Sequence, residues 1–383
     1  MHSQTILNSP NGYYEVGNQI YLNKMEAVYQ ASLSKQPVRF NFHDTVFSQY
    51  DWTKRPAGTL KDMYRERAQQ IRDRYDYIII HFSGGQDSWT TLHSFLANGI
   101  HVDEIVSRWA RVERKYRDAD CTNKHDSNFG SEFEFAALPV LEHIKKHYPR
   151  VCVTIDDYSA DLEKEITEFQ VTASNHYQCM GTFFRHNNKT AGELEAEKHN
   201  KSVGIVFGMD KTRCMIQDGN FYAHFSDGLG GADIDPRRRL ELFYWTPDFP
   251  EIPILQAHCL KDYLLEHFPD DEEARAKGKG QQWREIYMNA CYPDYNQDTF
   301  QVDKSLGSMI WRSETWMARH SPRFHASWRW SMKQYFDDIS DEYVSKGLAG
   351  TNLVTGLNFF KSKYYLVDPQ TRIPEFNWHE KRA

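Results

Sequence analysis

Cysteine is sparse and scattered: the six residues Cys121, Cys152, Cys179, Cys214, Cys259 and Cys291 include no C-x-x-C pair. That spacing excludes a zinc ribbon and a redox dithiol, and it weighs against a secreted disulfide scaffold. His176, Cys179 and His186 lack a fourth ligand nearby and do not match a structural zinc pattern. No stretch approaches the 18 or so apolar residues of a membrane span, and the opening Met1-His2-Ser3-Gln4-Thr5 has no signal-like apolar run. A non-membrane protein of the reducing cytoplasm is expected. Positive charge is also in short supply, with 46 Lys and Arg against 53 Asp and Glu and a net charge of -7, so any nucleic-acid contact must come from a local patch. The G-x-x-x-x-G-K-[ST] motif is absent, which excludes a Walker A loop. Gly208-Met209-Asp210 does not begin a G-x-G-x-x-G motif, so a dinucleotide Rossmann reading fails as well.

The 383 residues are 40% hydrophobic, enough to bury two or three structural units at about 150 residues each. Residues 1–57 read as an irregular extension with a helix near 24–32. In 59–75, Leu60, Met63, Tyr64, Ala68, Ile71 and Tyr75 recur at three- and four-residue steps, which predicts an amphipathic helix. Apolar runs predict strands at 76–81, 102–109, 151–155 and 202–208. Helical patterns fall at 90–96, 133–146, 162–169 and 255–264. This alternation predicts an α/β fold with a mostly parallel sheet and helices on both faces. The nucleotide-binding domain is expected over 58–265, followed by an aromatic-rich region over 283–383. Residues 227–239 and 269–282 read as surface loops, and 364–367 with 371–373 as a hairpin around Asp368-Pro369-Gln370.

The chemistry concentrates at His81-Phe82-Ser83-Gly84-Gly85-Gln86-Asp87-Ser88, between a hydrophobic strand and an amphipathic helix. Gly84 and Gly85 permit backbone angles that a Cβ would penalise, and they let a ligand approach main-chain N–H groups. The helix that follows points its N–H groups and positive dipole end into the same space, and the hydroxyls of Ser83 and Ser88 add donors. Asp87 would repel bare phosphate. Either it caps the helix, or it meets a Mg²⁺ bridging it to phosphate oxygens, since magnesium sites of this kind use one or two carboxylates plus substrate phosphate.

Ser83-Gly84-Gly85-Gln86-Asp87-Ser88 after the apolar run 77–82 resembles the PP-loop of the ATP pyrophosphatase superfamily. Its members include asparagine synthetase, tRNA lysidine synthetase, the queuosine precursor synthase and the phosphoadenylyl sulfate reductases. The resemblance covers about 76–260 and implies an adenine nucleotide α-hydrolase-like fold. It also implies that ATP and Mg²⁺ are bound, that a substrate is adenylated with release of pyrophosphate, and that a nucleophile then displaces AMP. Gln86 stands where the sulfate-nucleotide reductases carry Lys, and their redox-cysteine tail is missing. Neither the N-terminal Cys of the glutamine-dependent members nor the clustered cysteines of the queuosine enzyme are present.

On this basis Ser83, Gly84, Gly85, Gln86, Asp87, Ser88, Arg108 and Gly208 are expected to bind the nucleotide. Asp87, Ser88, Lys211 and Arg213 form the expected catalytic set, and Asp87 and Asp210 the expected Mg²⁺ ligands. Arg111, Arg114 and Lys115 enlarge the basic edge beyond Arg108, and Asp156-Asp157 could orient a cation or a substrate amine. Between 301 and 333 six Lys and Arg face two acids among tryptophans, and residues 311–330 are a candidate nucleic-acid contact, the alternative being a packed helix. The substrate is left open among small molecule, nucleotide and nucleic acid. Competing with the adenylating enzyme are a reductase of adenylated sulfur compounds, which needs a thiol at the site, and a non-catalytic ATP sensor.

Overall fold

A computed structural model of the protein describes residues 11–21, 33–109, 133–157, 189–209, 211–226, 238–268, 282–295 and 360–373, together with Ala27, Gln30, Ala31, Arg111 and Ser159. Its centre is a five-stranded sheet in which every neighbouring pair is parallel. The strands are β4 (Tyr77–His81), β5 (Glu104–Trp109), β6 (Cys152–Asp157), β7 (Val203–Phe207) and β10 (Arg238–Leu242), in spatial order β10-β7-β4-β5-β6. Ile78, Ile79 and Ile80 and the fully buried run of β7 fit strands covered on both faces. The chain steps from β4 to β5 to β6 on one side, then returns to lay β7 and β10 on the other. The carboxyl ends of β4 and β7 therefore flank a topological switch point, where open parallel sheets place their ligand crevice.

Helices flank the sheet, giving a mixed α/β, Rossmann-like architecture. After the short α1 (Asp44–Phe47), α2 (Leu60–Arg74) starts at Thr59, whose hydroxyl accepts from Asp62 N–H at 3.2 Å, and it buries Leu60, Met63, Tyr64, Ala68 and Ile71. The helix α3 (Gln86–Leu96) leads from β4 towards β5. A π-helical turn (Phe133–Ala137) runs into α4 (Leu138–His147), and α5 (Ala191–Lys198) precedes β7. The longest helix among the described residues, α6 (Glu251–His267), packs against α2 and α7 (Gln282–Cys291).

Five features differ from expectation. Within 1–57, β1 (Tyr13–Val16), β2 (Gln19–Tyr21) and β3 (Val38–Asn41) form an antiparallel sheet of order β2-β1-β3. The loop expected over 227–239 ends early, because Arg238 begins β10. That strand carries Glu241 into the core, where Arg67 of α2 meets it at 2.6 Å. The helix α5 had no clear apolar stripe to announce it. A second antiparallel sheet, of order β11-β9-β8, holds β8 (Arg213–Gln217), β9 (Asn220–His224) and β11 (Tyr365–Asp368). In its β8–β9 hairpin, Asp218 and Gly219 both take positive φ, 50° and 71°, as a tight two-residue turn requires. Finally, β11 does not pair with 371–373. It pairs with β9, and Thr371 N–H donates to Gly219 O at 2.8 Å.

No helix among the described residues is long and apolar enough to cross a membrane. The expected helix at 162–169, the tryptophan–arginine stretch 311–330, Asp210, Arg114, Lys115, His176, Cys179 and His186 lie outside the described residues, as does most of the helix near 24–32.

Candidate functional site

The 83–88 turn links β4 to α3 at the carboxyl edge of the sheet. Gly84 has φ of +81°, and a Cβ there would fall 2.5 Å from Ala137 N and 2.7 Å from Ala136 C. Glycine is thus required twice, for the backbone angle and for the approach to the π-helical turn behind it. Ser88 Oγ donates to Gly85 O at 3.0 Å and accepts from Ser83 N–H at 3.3 Å, and the two serine hydroxyls lie 3.2 Å apart. These bonds close the turn on itself. Gly85 is the N-cap of α3 and offers no side-chain cap, and the positive end of the helix dipole sits at the turn. Ser83 is exposed, Gly85 and Asp87 are half-buried, and Gly84, Gln86 and Ser88 are buried.

Asp87 is the hub. Lys211, just beyond the end of β7, places Nζ 2.7 Å from Asp87 Oδ1, and Tyr292 donates its hydroxyl to the same oxygen. The Asp87 carbonyl accepts from Tyr244 Oη at 2.6 Å and from Thr91 Oγ1 at 3.0 Å. Lys211 Nζ also lies 4.5 Å above the Tyr287 ring and 5.6 Å from the Tyr292 ring, a cation–π setting that holds the ammonium between two faces. Burial first, then for Tyr244 and Tyr292 the nearby Asp87 charge, pushes these phenols well above the ordinary tyrosine range; burial does the same for Tyr287. All three therefore remain neutral donors.

The connector that carries Lys211 is itself clamped. Thr212 N–H donates to Gln256 Oε1 at 3.2 Å, Thr212 Oγ1 donates to Pro253 O at 2.8 Å, and Tyr287 Oη donates to Thr212 O. Gln256 Nε2 donates in turn to Tyr64 Oη at 2.9 Å, and Tyr64 donates to Cys291 O at 3.0 Å. Helices α2, α6 and α7 thereby fix the lysine opposite the turn.

Of the residues expected from sequence, Ser83, Gly84, Gly85, Gln86, Asp87, Ser88, Gly208 and Lys211 come together. Gly208 acts through packing, because a Cβ there would sit 2.6 Å from Asp87 O and 2.8 Å from Thr91 Oγ1. Arg108, buried on β5, lies 3.5 Å from Asp156, its register partner on β6. Arg111 N–H donates to Asp157 Oδ1 at 3.2 Å. Burial pushes the Asp157 carboxyl up, but its bonds from Ser159 and Arg111 outweigh that and leave it below the usual range. Asp156 and Asp157 thus each face an arginine. Arg213 opens β8, directly across from His224.

Among the described residues no group of three or more His, Cys, Asp or Glu could hold a metal. The Asp87 carboxylate is 35% exposed, with Lys211 and Tyr292 both on its Oδ1. Burial raises the thiols of Cys214, Cys259 and Cys291, so none of these is an activated nucleophile. Tyr244, Tyr287, Tyr292 and Gln256 were not singled out from sequence. Their one trace is the density of tyrosines after β10 and along α7.

Comparison of the chain with family models, with curated proteins and with solved structures returned no match. The reading of the site therefore rests on its own residues.

Proposed function

We propose that the protein binds ATP with its phosphates against the 83–88 turn and transfers AMP to a second substrate, releasing pyrophosphate, as members of the PP-loop superfamily do. The observation that carries this reading is a glycine turn and side-chain-uncapped helix N-terminus at the switch point of a parallel sheet, faced by a clamped lysine. The fold proposed with it is the adenine nucleotide α-hydrolase-like variant of the parallel architecture.

In this reaction an oxygen of the second substrate bonds to the α-phosphorus. The bond to the bridging oxygen breaks, and its electron pair leaves on pyrophosphate. A second nucleophile then displaces AMP. Backbone N–H groups at Gly84 and the first turn of α3 orient the phosphates, while Gly85 N–H donates to Ser83 Oγ at 3.3 Å and helps close the turn. Lys211 balances Asp87 before the nucleotide arrives and offers its ammonium to the charge that develops on the leaving group. Asp87 would hold Mg²⁺, which neutralises phosphate charge when bound with the nucleotide. No γ-directed Walker lysine follows the glycines, which favours cleavage at the α-phosphorus over the γ-phosphorus.

The test supplies ATP labelled at the α- and γ-positions with pools of metabolites and nucleic acids. Substrate-dependent AMP with matching pyrophosphate is expected, and Asp87→Asn should cut turnover by ~100-fold or more while leaving the fold intact. ADP and inorganic phosphate as the main products refute the reading. ATP binding with no turnover in any pool replaces it with a nucleotide sensor.

A further inference from the structure

The β11-β9-β8 sheet has one face in the core and a second face that is exposed at Tyr364 and Leu366 but buried at His224. Cys214, Ile216, Phe221, Ala223, Tyr365 and Val367 are buried. The alternate positions carry a different chemistry. Tyr364 and Leu366 are 42% and 37% exposed, two of the few large apolar side chains exposed among the described residues. The Tyr222 and Tyr364 rings lie 6.2 Å apart, and the His224 ring meets Tyr364 edge-on at 5.4 Å.

Cations collect at one end of this face. Arg213 lies directly across from His224 in the β8–β9 register. Lys361 is exposed, bridges to Ser226, and is tied beside β9 by Ser362 N–H donating to Phe225 O at 3.1 Å. Burial, then the charges of Lys361 and Arg213, push the His224 imidazole down to about 3. Two positive side chains beside a buried neutral imidazole and an exposed ring form a site complementary to an anion attached to a planar group.

The position links this face to the 83–88 turn. Arg213 is two residues beyond Lys211, so the two Cα atoms are at most about 7 Å apart. Tyr287, the ring beneath Lys211, feels both the Arg213 charge and the Asp87 charge. An anion held by Arg213 and Lys361 would thus border the nucleotide crevice.

We propose that the Arg213–His224–Lys361 end of this sheet face binds the phosphate of a nucleotide, with its base on Tyr364 and Tyr222, and that this nucleotide is the second substrate. The assignment of that ligand as substrate rests on the AMP-transfer reading; its binding does not. The ligand chemistry is a nucleotide phosphate, supplied free or within a single strand.

The experiment uses the full chain at low salt with three probes measured separately: a nucleoside monophosphate, a short labelled single strand, and a non-hydrolysable ATP analogue. Lys361→Glu and Tyr364→Ala alter exposed side chains. A monophosphate or strand should bind, more weakly as salt rises, and Lys361→Glu should weaken it about tenfold and Tyr364→Ala at least about threefold. Affinity for the ATP analogue should stay within about twofold of wild type. Binding of the monophosphate identifies a free nucleotide, and binding of the strand alone identifies a polynucleotide. The proposal falls if neither binds, if both variants bind like wild type, or if the variants lose the ATP analogue as well. Analogue binding without either other probe sinks this site and spares the ATP reading. The reverse, with Lys361 dependence, sinks the ATP reading and spares this site.

Discussion

Replacing Glu241 by glutamine should destabilise the fold more than a change of one atom suggests. Glu241 and Arg67 are both fully buried and lie 2.6 Å apart. The other carboxylate oxygen meets Arg74 at 3.0 Å and Tyr75 Oη at 2.6 Å. Glutamine keeps the shape but leaves Arg67 as a buried cation with only neutral acceptors, Leu242 O at 3.2 Å and Gln70 Oε1 at 2.6 Å. Breaking a buried pair from one side costs about 3 to 5 kcal/mol. At a urea slope of about 3 kcal/mol per M, the upper end of the small-protein range, the midpoint should fall by roughly 1 to 1.7 M. Tryptophan fluorescence in urea, without nucleotide, measures it. Burial pushes the Glu241 carboxyl up, yet Arg67, the Tyr75 hydroxyl and Arg74 together bring it below the usual range. Its stabilising share is therefore complete above the ordinary carboxylate range and is lost as pH falls through the lowered folded value, so the gap between variant and wild type should close in acid. The double change Arg67→Met with Glu241→Leu should recover much of the loss, because no charge is then stranded. A loss under about 1 kcal/mol for Glu241→Gln, where the buried pair requires several, would refute the burial of this pair and the anchoring of β10 through it.

Two further outcomes follow from contacts around the turn. Gly208→Ala drives a methyl into Asp87 O and Thr91 Oγ1 and should cost about 1 to 3 kcal/mol in thermal denaturation. By displacing the first turn of α3 it should also abolish binding of an ATP analogue in equilibrium dialysis, and unchanged affinity would separate Gly208 from the site. Tyr292→Phe removes a charge-assisted, partly buried bond to Asp87 and should cost about 1.5 kcal/mol in urea denaturation. A Tyr292→Phe protein as stable as wild type would mean that Lys211 alone fixes the carboxylate.

The 83–88 turn was legible because its signal is local. The apolar run of β4 stops at the two glycines, and three- and four-residue spacing resumes in α3, so strand, turn and helix all lie within 77–96. The parallel sheet was legible for the same reason, strand by strand. The strand β10 was not, because the run Arg237-Arg238-Arg239 reads as a solvated loop until Arg67 and Arg74, more than 160 residues earlier, are placed against Glu241. The β8–β9 hairpin carries a local cue, Asp218-Gly219 between alternating runs.

The tyrosines are a harder case. Tyr244, Tyr287 and Tyr292 occupy buried positions that leucine or phenylalanine would suit equally well by periodicity, and only their hydroxyls distinguish them. Those hydroxyls find partners 157, 75 and 205 residues away: the Asp87 carbonyl, the Thr212 carbonyl and the Asp87 carboxylate. A buried phenol without a partner costs free energy, so tyrosine in an apolar stripe implies an acceptor somewhere in the fold but says nothing of where. Here all three acceptors lie on Asp87 and on Thr212, the neighbour of Lys211, so they flank the Lys211–Asp87 ion pair. Tyr287 of α7 and Tyr292 just beyond it, both downstream of the region that resembles the PP-loop family, thus complete the polar shell: the Tyr292 hydroxyl holds the Asp87 carboxylate, and the Tyr287 hydroxyl holds Thr212 next to Lys211 before any ligand arrives.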